Sequence, residues 1–141
     1  KKHEAGRYAV STGTWTSLGG IGGSSGNSTS SGWNISGDGA TIVGLAWEDA
    51  GTAYATMWPQ IGSANSLGTT VPGSSTRANA VSHDGSVIAG WQDASIRQGA
   101  VWVNGVQELI QNADGTDASE ASAVSSDGNW VTGMVRNTRL V

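Results

Sequence analysis

Ser36–Gly44 reads SGDGATIVG, Ser82–Gly90 reads SHDGSVIAG and Ser125–Gly133 reads SSDGNWVTG. The aspartates of these lines, Asp38, Asp84 and Asp127, are 46 and 43 residues apart. A period in the forties, built of strand-like segments, predicts a β-propeller or a related repeat array. Each line explains itself locally. Asp-Gly between two apolar runs is a tight hairpin signal, because Gly39, Gly85 and Gly128 can take positive φ at no steric cost. Ser36, Ser82 and Ser125 stand two residues before the aspartates, where a short polar side chain can bond the turn backbone, as can the Asp itself. The residues that follow, such as Thr41-Ile42-Val43 and Val87-Ile88-Ala89, are mostly β-branched and suit strands. Asp38, Asp84 and Asp127 are therefore read as turn residues rather than as a ring of catalytic carboxylates.

A second element recurs out of phase with the first: GRYAVSTGTWTSLGG at Gly6–Gly20, TAYATMWPQIGSANSLGT at Thr52–Thr69 and QGAVWVNGVQELI at Gln98–Ile110. Its tryptophans, Trp15, Trp58 and Trp102, are 43 and 44 residues apart and are expected to pack in or between blades. Asn104-Gly105 is a type I′ turn pair. One unit then holds four short strands in roughly 44 residues, as in a propeller blade. The expected fold is all-β, with propeller-type repeats of four short antiparallel strands and about three blades' worth of chain. The first and last blades are split: half-blade 1–23, Gly/Ser-rich loop 24–32, blade 33–70, blade 75–115 and half-blade 117–141.

The pattern A-x-A-V-S-x-D-G-x-V-x-x-G, followed by a tryptophan and Leu-Gly, resembles the HAF-type bacterial extracellular repeat. Arg77-Ala78-Asn79-Ala80-Val81-Ser82-His83-Asp84-Gly85 is the best copy, Ala121–Gly128 nearly matches it, and the first copy departs with Gly32-Trp33-Asn34-Ile35. The resemblance covers nearly the whole chain. It implies a propeller-like module that is secreted or on the bacterial surface, and it implies no activity. The expected location is extracellular or the bacterial cell surface, with the periplasm as the alternative. A looser likeness to the Asp-box turn of sialidase-type propellers carries nothing catalytic, because here the glycine is adjacent to the aspartate.

The bulk composition agrees with a turn-rich β domain. Of 141 residues, 22 are Gly and 7 are Trp, and only 13% are charged, against a usual share of about 25%. Net charge is −4 with no Lys/Arg cluster, which disfavours nucleic acid. No apolar run of about 18 residues is present to span a membrane as a helix. Cysteine is absent, so disulfides and thiolate metal sites are excluded. With no initiating Met and no signal peptide, the chain reads as a mature product, a fragment or a portion of something larger. No cofactor is expected.

Residues that break the repeat are better candidates for function, because a scaffold does not require them. Trp47-Glu48-Asp49 and Trp91-Gln92-Asp93 both follow a second strand. An aromatic ring beside carboxylates or amides suits carbohydrate, the ring stacking on apolar sugar faces. Glu48 and Asp49 are poorly arranged as a glycosidase pair, since neighbours on a strand point to opposite faces. His83 lies at a turn tip between Ser82 and Asp84, and adjacency does not make a relay. The acidic run Asn112–Glu120 offers calcium candidates in Asp114, Asp117 and Glu120 but fails EF-hand spacing. The expected function is a non-catalytic extracellular binding or assembly module for a glycan, protein or filament partner. The alternatives are a polysaccharide-active hydrolase or lyase, and a purely structural component of an extracellular assembly. Two complete units plus two complementary halves make three blades, whereas closed propellers have typically four to eight. Either a dimer completes a six-bladed ring or a longer chain supplies the remaining blades.

Overall fold

A computed structural model of the chain describes residues 2–23, 28–112, 116 and 119–135. It is all-β, with twelve strands and no helix among the described residues. In chain order these are β1 (Ala5–Ala9), β2 (Thr14–Gly19), β3 (Ser30–Ile35), β4 (Thr41–Trp47), β5 (Ala53–Pro59), β6 (Asn65–Ser66), β7 (Thr76–Val81), β8 (Val87–Gln92), β9 (Gln98–Val103), β10 (Val106–Leu109), β11 (Glu120–Val124) and β12 (Val131–Met134). They form two four-stranded antiparallel sheets, β3-β4-β5-β6 and β7-β8-β9-β10, flanked by two-stranded sheets β1-β2 and β11-β12. The four-stranded sheets are propeller-type blades; β1-β2 is the third-and-fourth-strand half of a blade, and β11-β12 the first-and-second-strand half.

The Ser-x-Asp-Gly line is the hairpin between first and second strands, with one bonding pattern in all three copies. The serine hydroxyl donates to the aspartate: Ser36 to Asp38 at 2.5 Å, Ser82 to Asp84 at 2.8 Å and Ser125 to Asp127 at 2.6 Å. The same hydroxyl accepts from the N–H of Thr41 or Val87, the first residue of the second strand, or of Trp130, the residue just before it. Gly39, Gly85 and Gly128 have φ of 74°, 80° and 75°, the left-handed region that favours glycine. Farther along, Gly44, Gly90 and Gly133 lie within the second strand. A Cβ there would collide with the carbonyl oxygen of Ser31, Arg77 or Glu120 on the first strand. The cause is a register shift repeated in every first strand, which leaves Trp33, Asn79 and Ser122 unpaired. Such a bulge re-aims one side chain per blade.

Apolar faces of neighbouring blades meet around tryptophan. Trp58 is 2% exposed and packs with Ala5, Ile42 and Ala46, while Trp102 is fully buried with Val43, Ala55, Ala78 and Ile88. Their indole N–H groups donate across the blade interface to the carbonyls of Gly19 and Leu67, at 3.3 Å and 3.1 Å.

The structure corrects two alignments. Trp15 does not correspond to Trp58 and Trp102. The N–H groups of Ala5 and Ala55 make equivalent bonds to Ser30 and Thr76, so Tyr8 on β1 holds the tryptophan position. Trp15 lies directly opposite Tyr8 on β2, is 72% exposed and has its ring centroid 5.1 Å from that of Tyr8. Trp47 and Trp91 are not equivalent either. Trp91 pairs with Gly99, as Leu45 pairs with Ala55, whereas Trp47 lies one pleat farther on, opposite Ala53.

Candidate functional site

The first strands of successive blades lie side by side, and their starts gather the side chains that break the repeat. Arg77 occupies the position that Ser31 and Glu120 hold in the neighbouring blades. Its guanidinium lies 4.4 Å from the ring centroid of Trp33 and 5.1 Å from that of Trp91. Arg97, from the turn after β8, lies 3.9 Å from the Trp91 centroid. Both are cation–π distances. Arg77 Nε donates to Asn79 Oδ1 at 2.7 Å, and Asn79 Nδ2 donates to Ala121 O at 2.8 Å and to Glu120 Oε1 at 3.1 Å. Glu120 also pairs with Arg77 at 3.6 Å and Arg97 at 3.8 Å, and Arg97 with Asp93 at 3.1 Å. The bulge thus turns Trp33 and Asn79 towards the next blade, and opposite charges at one repeat position, Arg77 and Glu120, tie the second complete blade to the last half-blade.

This ladder uses some of the residues expected to bind. Trp91 is 7% exposed and carries two guanidinium groups over its ring, so a sugar can stack there only by displacing an arginine. Gln92 is fully buried. Its carbonyl accepts from the Thr70 N–H, the Thr69 and Thr70 hydroxyls and the Gln107 amide, which ties the chain entering β7 to the middle of its blade. Asp93 faces Arg97. Trp47 differs: its ring is 39% exposed, at the mouth of a turn closed by the bond from Glu48 N–H to Thr52 O, with Asp49 in that turn. Asp114 and Asp117 lie outside the described residues, and the Glu120 carboxylate is engaged by two arginines. Among the described residues no three acidic or histidine side chains are grouped to hold a metal. Arg77 and Arg97 did not stand out in the sequence. The available signal was the succession Ser31, Arg77, Glu120 at one repeat position.

An open cleft of about 570 Å³ is lined by His83, Asp84, Ser125, Ser126, Asp127 and Trp130. It contains serine, histidine and aspartate without the connectivity of a relay. The Ser82 and Ser125 hydroxyls donate to Asp84 and Asp127 rather than to an imidazole. The backbone N–H and hydroxyl of Ser86, with the Ser82 hydroxyl, hold the Asp84 carboxyl down at about 2. The Ser125 hydroxyl and then the N–H of Asn129 lower Asp127, and the Ser36 hydroxyl and then the N–H of Ala40 lower Asp38. Carboxylates held this way are poor proton donors near neutrality. His83 is a spacer between turns: its N–H donates to Ser126 O, its carbonyl accepts from Asp38 N–H, and its ring fills the space over Gly37.

No protein-family model matches this chain. No curated protein matches it either. Among solved structures it is similar to one described as TolB from Agrobacterium tumefaciens, a β-propeller, at a TM-score of 0.56 and 16% identity over 91% of this chain and 52% of that one. That likeness concerns the fold, and the chain spans about half the length of that structure.

Proposed function

We propose that this chain is a non-catalytic binding or assembly module of the bacterial exterior or periplasm. The observation that carries this reading is the exposed Trp47 ring at the mouth of the turn that contains Glu48 and Asp49. An amphipathic ring of this kind offers an apolar face to a partner beside polar groups. The extracellular setting rests on the resemblance to HAF-type repeats. The hydrogen-bonded turn aspartates and the arginine-engaged Glu120 favour binding over hydrolysis or lysis of polysaccharide. A glycan array with wild type and Trp47→Ala tests the reading, alongside assays for release of reducing or unsaturated sugar ends. Specific binding that falls in the variant, without turnover, is the expected result; cleavage of polysaccharide overturns it.

A further inference from the structure

We propose that Trp91 is a second ligand platform, latched beneath Arg97, and that its ligand is a sugar carrying a carboxylate, a hexuronate. The proposal rests on the binding reading above and adds a site and a ligand class. Trp58, Trp91 and Trp102 are all buried, but they are not alike. The indole N–H groups of Trp58 and Trp102 donate to Gly19 O and Leu67 O. The indole N–H of Trp91 is buried and has no hydrogen-bond partner among the described residues. A buried donor left without an acceptor is destabilising. Packing does not demand a tryptophan here, because the equivalent position holds Leu45 in the preceding blade and Met134 in the following one.

The cover over this ring is lightly held. Arg97 comes from the turn between β8 and β9, and its guanidinium lies 3.9 Å from the Trp91 centroid. The side chains of Arg97 and its partner Asp93 are each 43% exposed, and exposed ion pairs of this kind contribute little. The approach of Arg97 to Glu120 is longer, at 3.8 Å. Arg77 is held more firmly, between the rings of Trp33 and Trp91 and bonded to Asn79. Movement of Arg97 alone therefore uncovers the Trp91 ring and leaves Asp93 to water. The groups left around the ring are donors. Asn79 Oδ1, Asp93 Oδ1 and Glu120 Oε1 each already accept a hydrogen bond. Arg77 Nη2 and Arg97 Nη1 meet Glu120 only at 3.6 Å and 3.8 Å, and the Trp91 N–H meets no acceptor. A neutral sugar presents hydroxyls that both donate and accept. A hexuronate presents an apolar ring face for stacking and a carboxylate that only accepts. Its carboxylate takes paired N–H groups of the displaced Arg97, and such charge-assisted bonds are stronger than neutral ones. Trp47 and Trp91 lie towards the C-terminal ends of second strands in successive blades. An oligosaccharide running along that rim engages both rings, so loss of either lowers its apparent affinity.

The test reads the indole N–H itself. In ¹⁵N-labelled protein each tryptophan gives its own indole signal, and that of Trp91 is assigned by its loss in Trp91→Phe. Galacturonate is expected to shift the Trp91 signal saturably. Its neutral methyl ester should bind at least about tenfold more weakly, the order of one hydrogen bond to a charged group. In Arg97→Ala that preference should collapse, with the acid weaker and the ester tighter than in wild type, since the charge is lost and the ring uncovered. In Asp93→Asn, which loosens the latch, galacturonate should bind up to about fivefold tighter. The shift should survive in Trp47→Ala, because a monosaccharide engages one ring. No shift with galacturonate, or equal affinity for acid and ester, overturns the proposal; a glycan-array signal that still falls in Trp47→Ala then leaves the binding reading standing. An equal response to acetate overturns the sugar as ligand. An acid preference that persists in Arg97→Ala overturns the latch.

Discussion

Replacing Trp102 with alanine is expected to cost about 4 kcal/mol, in the range for truncating a fully buried aromatic side chain. The site is at the upper end of that range for two reasons. Trp102 has no exposed surface and lies amid Val43, Ala55, Ala78 and Ile88 from two blades, so backbone from two sheets limits collapse of the cavity. Its indole N–H also donates to Leu67 O at 3.1 Å, and the variant leaves that carbonyl without its donor. Trp102→Phe separates the terms: it keeps most of the ring and loses the hydrogen bond, which is worth about 1 kcal/mol net. Trp15→Ala is the control. By spacing it belongs with Trp102, but at 72% exposure it removes no core among the described residues, and the expected loss is below about 0.5 kcal/mol. Urea unfolding followed by far-UV circular dichroism gives all three values. A Trp102→Ala loss under about 1 kcal/mol, or equal losses at both positions, would refute the assignment of Tyr8 rather than Trp15 to the interface position.

Other outcomes follow from the turns and the exposed edge. Asp84 is held at about 2 against an ordinary 3.8; its carboxylate therefore contributes stability that is fully present above 3.8 and lost as the pH falls through 2. Acid titration of unfolding should show a steep loss in that window, shallower in Asp84→Asn; equal slopes would count against the turn bonds. Gly90→Ala places a Cβ against Arg77 O and should cost about 3 kcal/mol by overpacking, read from the urea midpoint, with less than about 1 kcal/mol contradicting the bulge. On a glycan array, any specific signal should fall at least about tenfold in Trp47→Ala and be unchanged in Trp15→Ala, since Trp47 is the exposed aromatic ring beside Glu48 and Asp49; an unaltered signal in Trp47→Ala removes that ring as the platform.

What the sequence made legible was whatever is settled within a few residues. The Ser-x-Asp-Gly turn carries its own bonds and its own positive φ, so its three copies identify the hairpin wherever they occur. Alignment across the hairpin between third and fourth strands was not legible. Trp15 and Tyr8 face each other across β1 and β2; Trp15 lies 43 residues before Trp58 and fits the period, whereas the true counterpart, Tyr8, lies 50 before it. The bulge was hidden for a related reason. One unpaired residue in each first strand shifts the alternation, so Trp33, Asn79 and Ser122 align by number without showing that they turn towards the next blade. The aromatic–cationic ladder depends on packing between residues about 44 apart, and only the change from Ser31 to Arg77 to Glu120 hinted at it.

The turns do more than reverse the chain. The second and third buttress the preceding blade: a Cβ on Gly85 would strike Thr41, and one on Gly128 would strike Val87. The same turns join by backbone bonds, Asp38 N–H to His83 O and His83 N–H to Ser126 O. Gly85 and Gly128 are therefore required twice, for φ and for the approach of the neighbouring blade, and Gly39 for φ alone. Stability in such an array is close to a sum of blade terms and nearest-neighbour terms. A side chain at Gly85 or Gly128 therefore acts on a hairpin and on a nearest-neighbour term at once, whereas one at Gly39 acts on its hairpin alone.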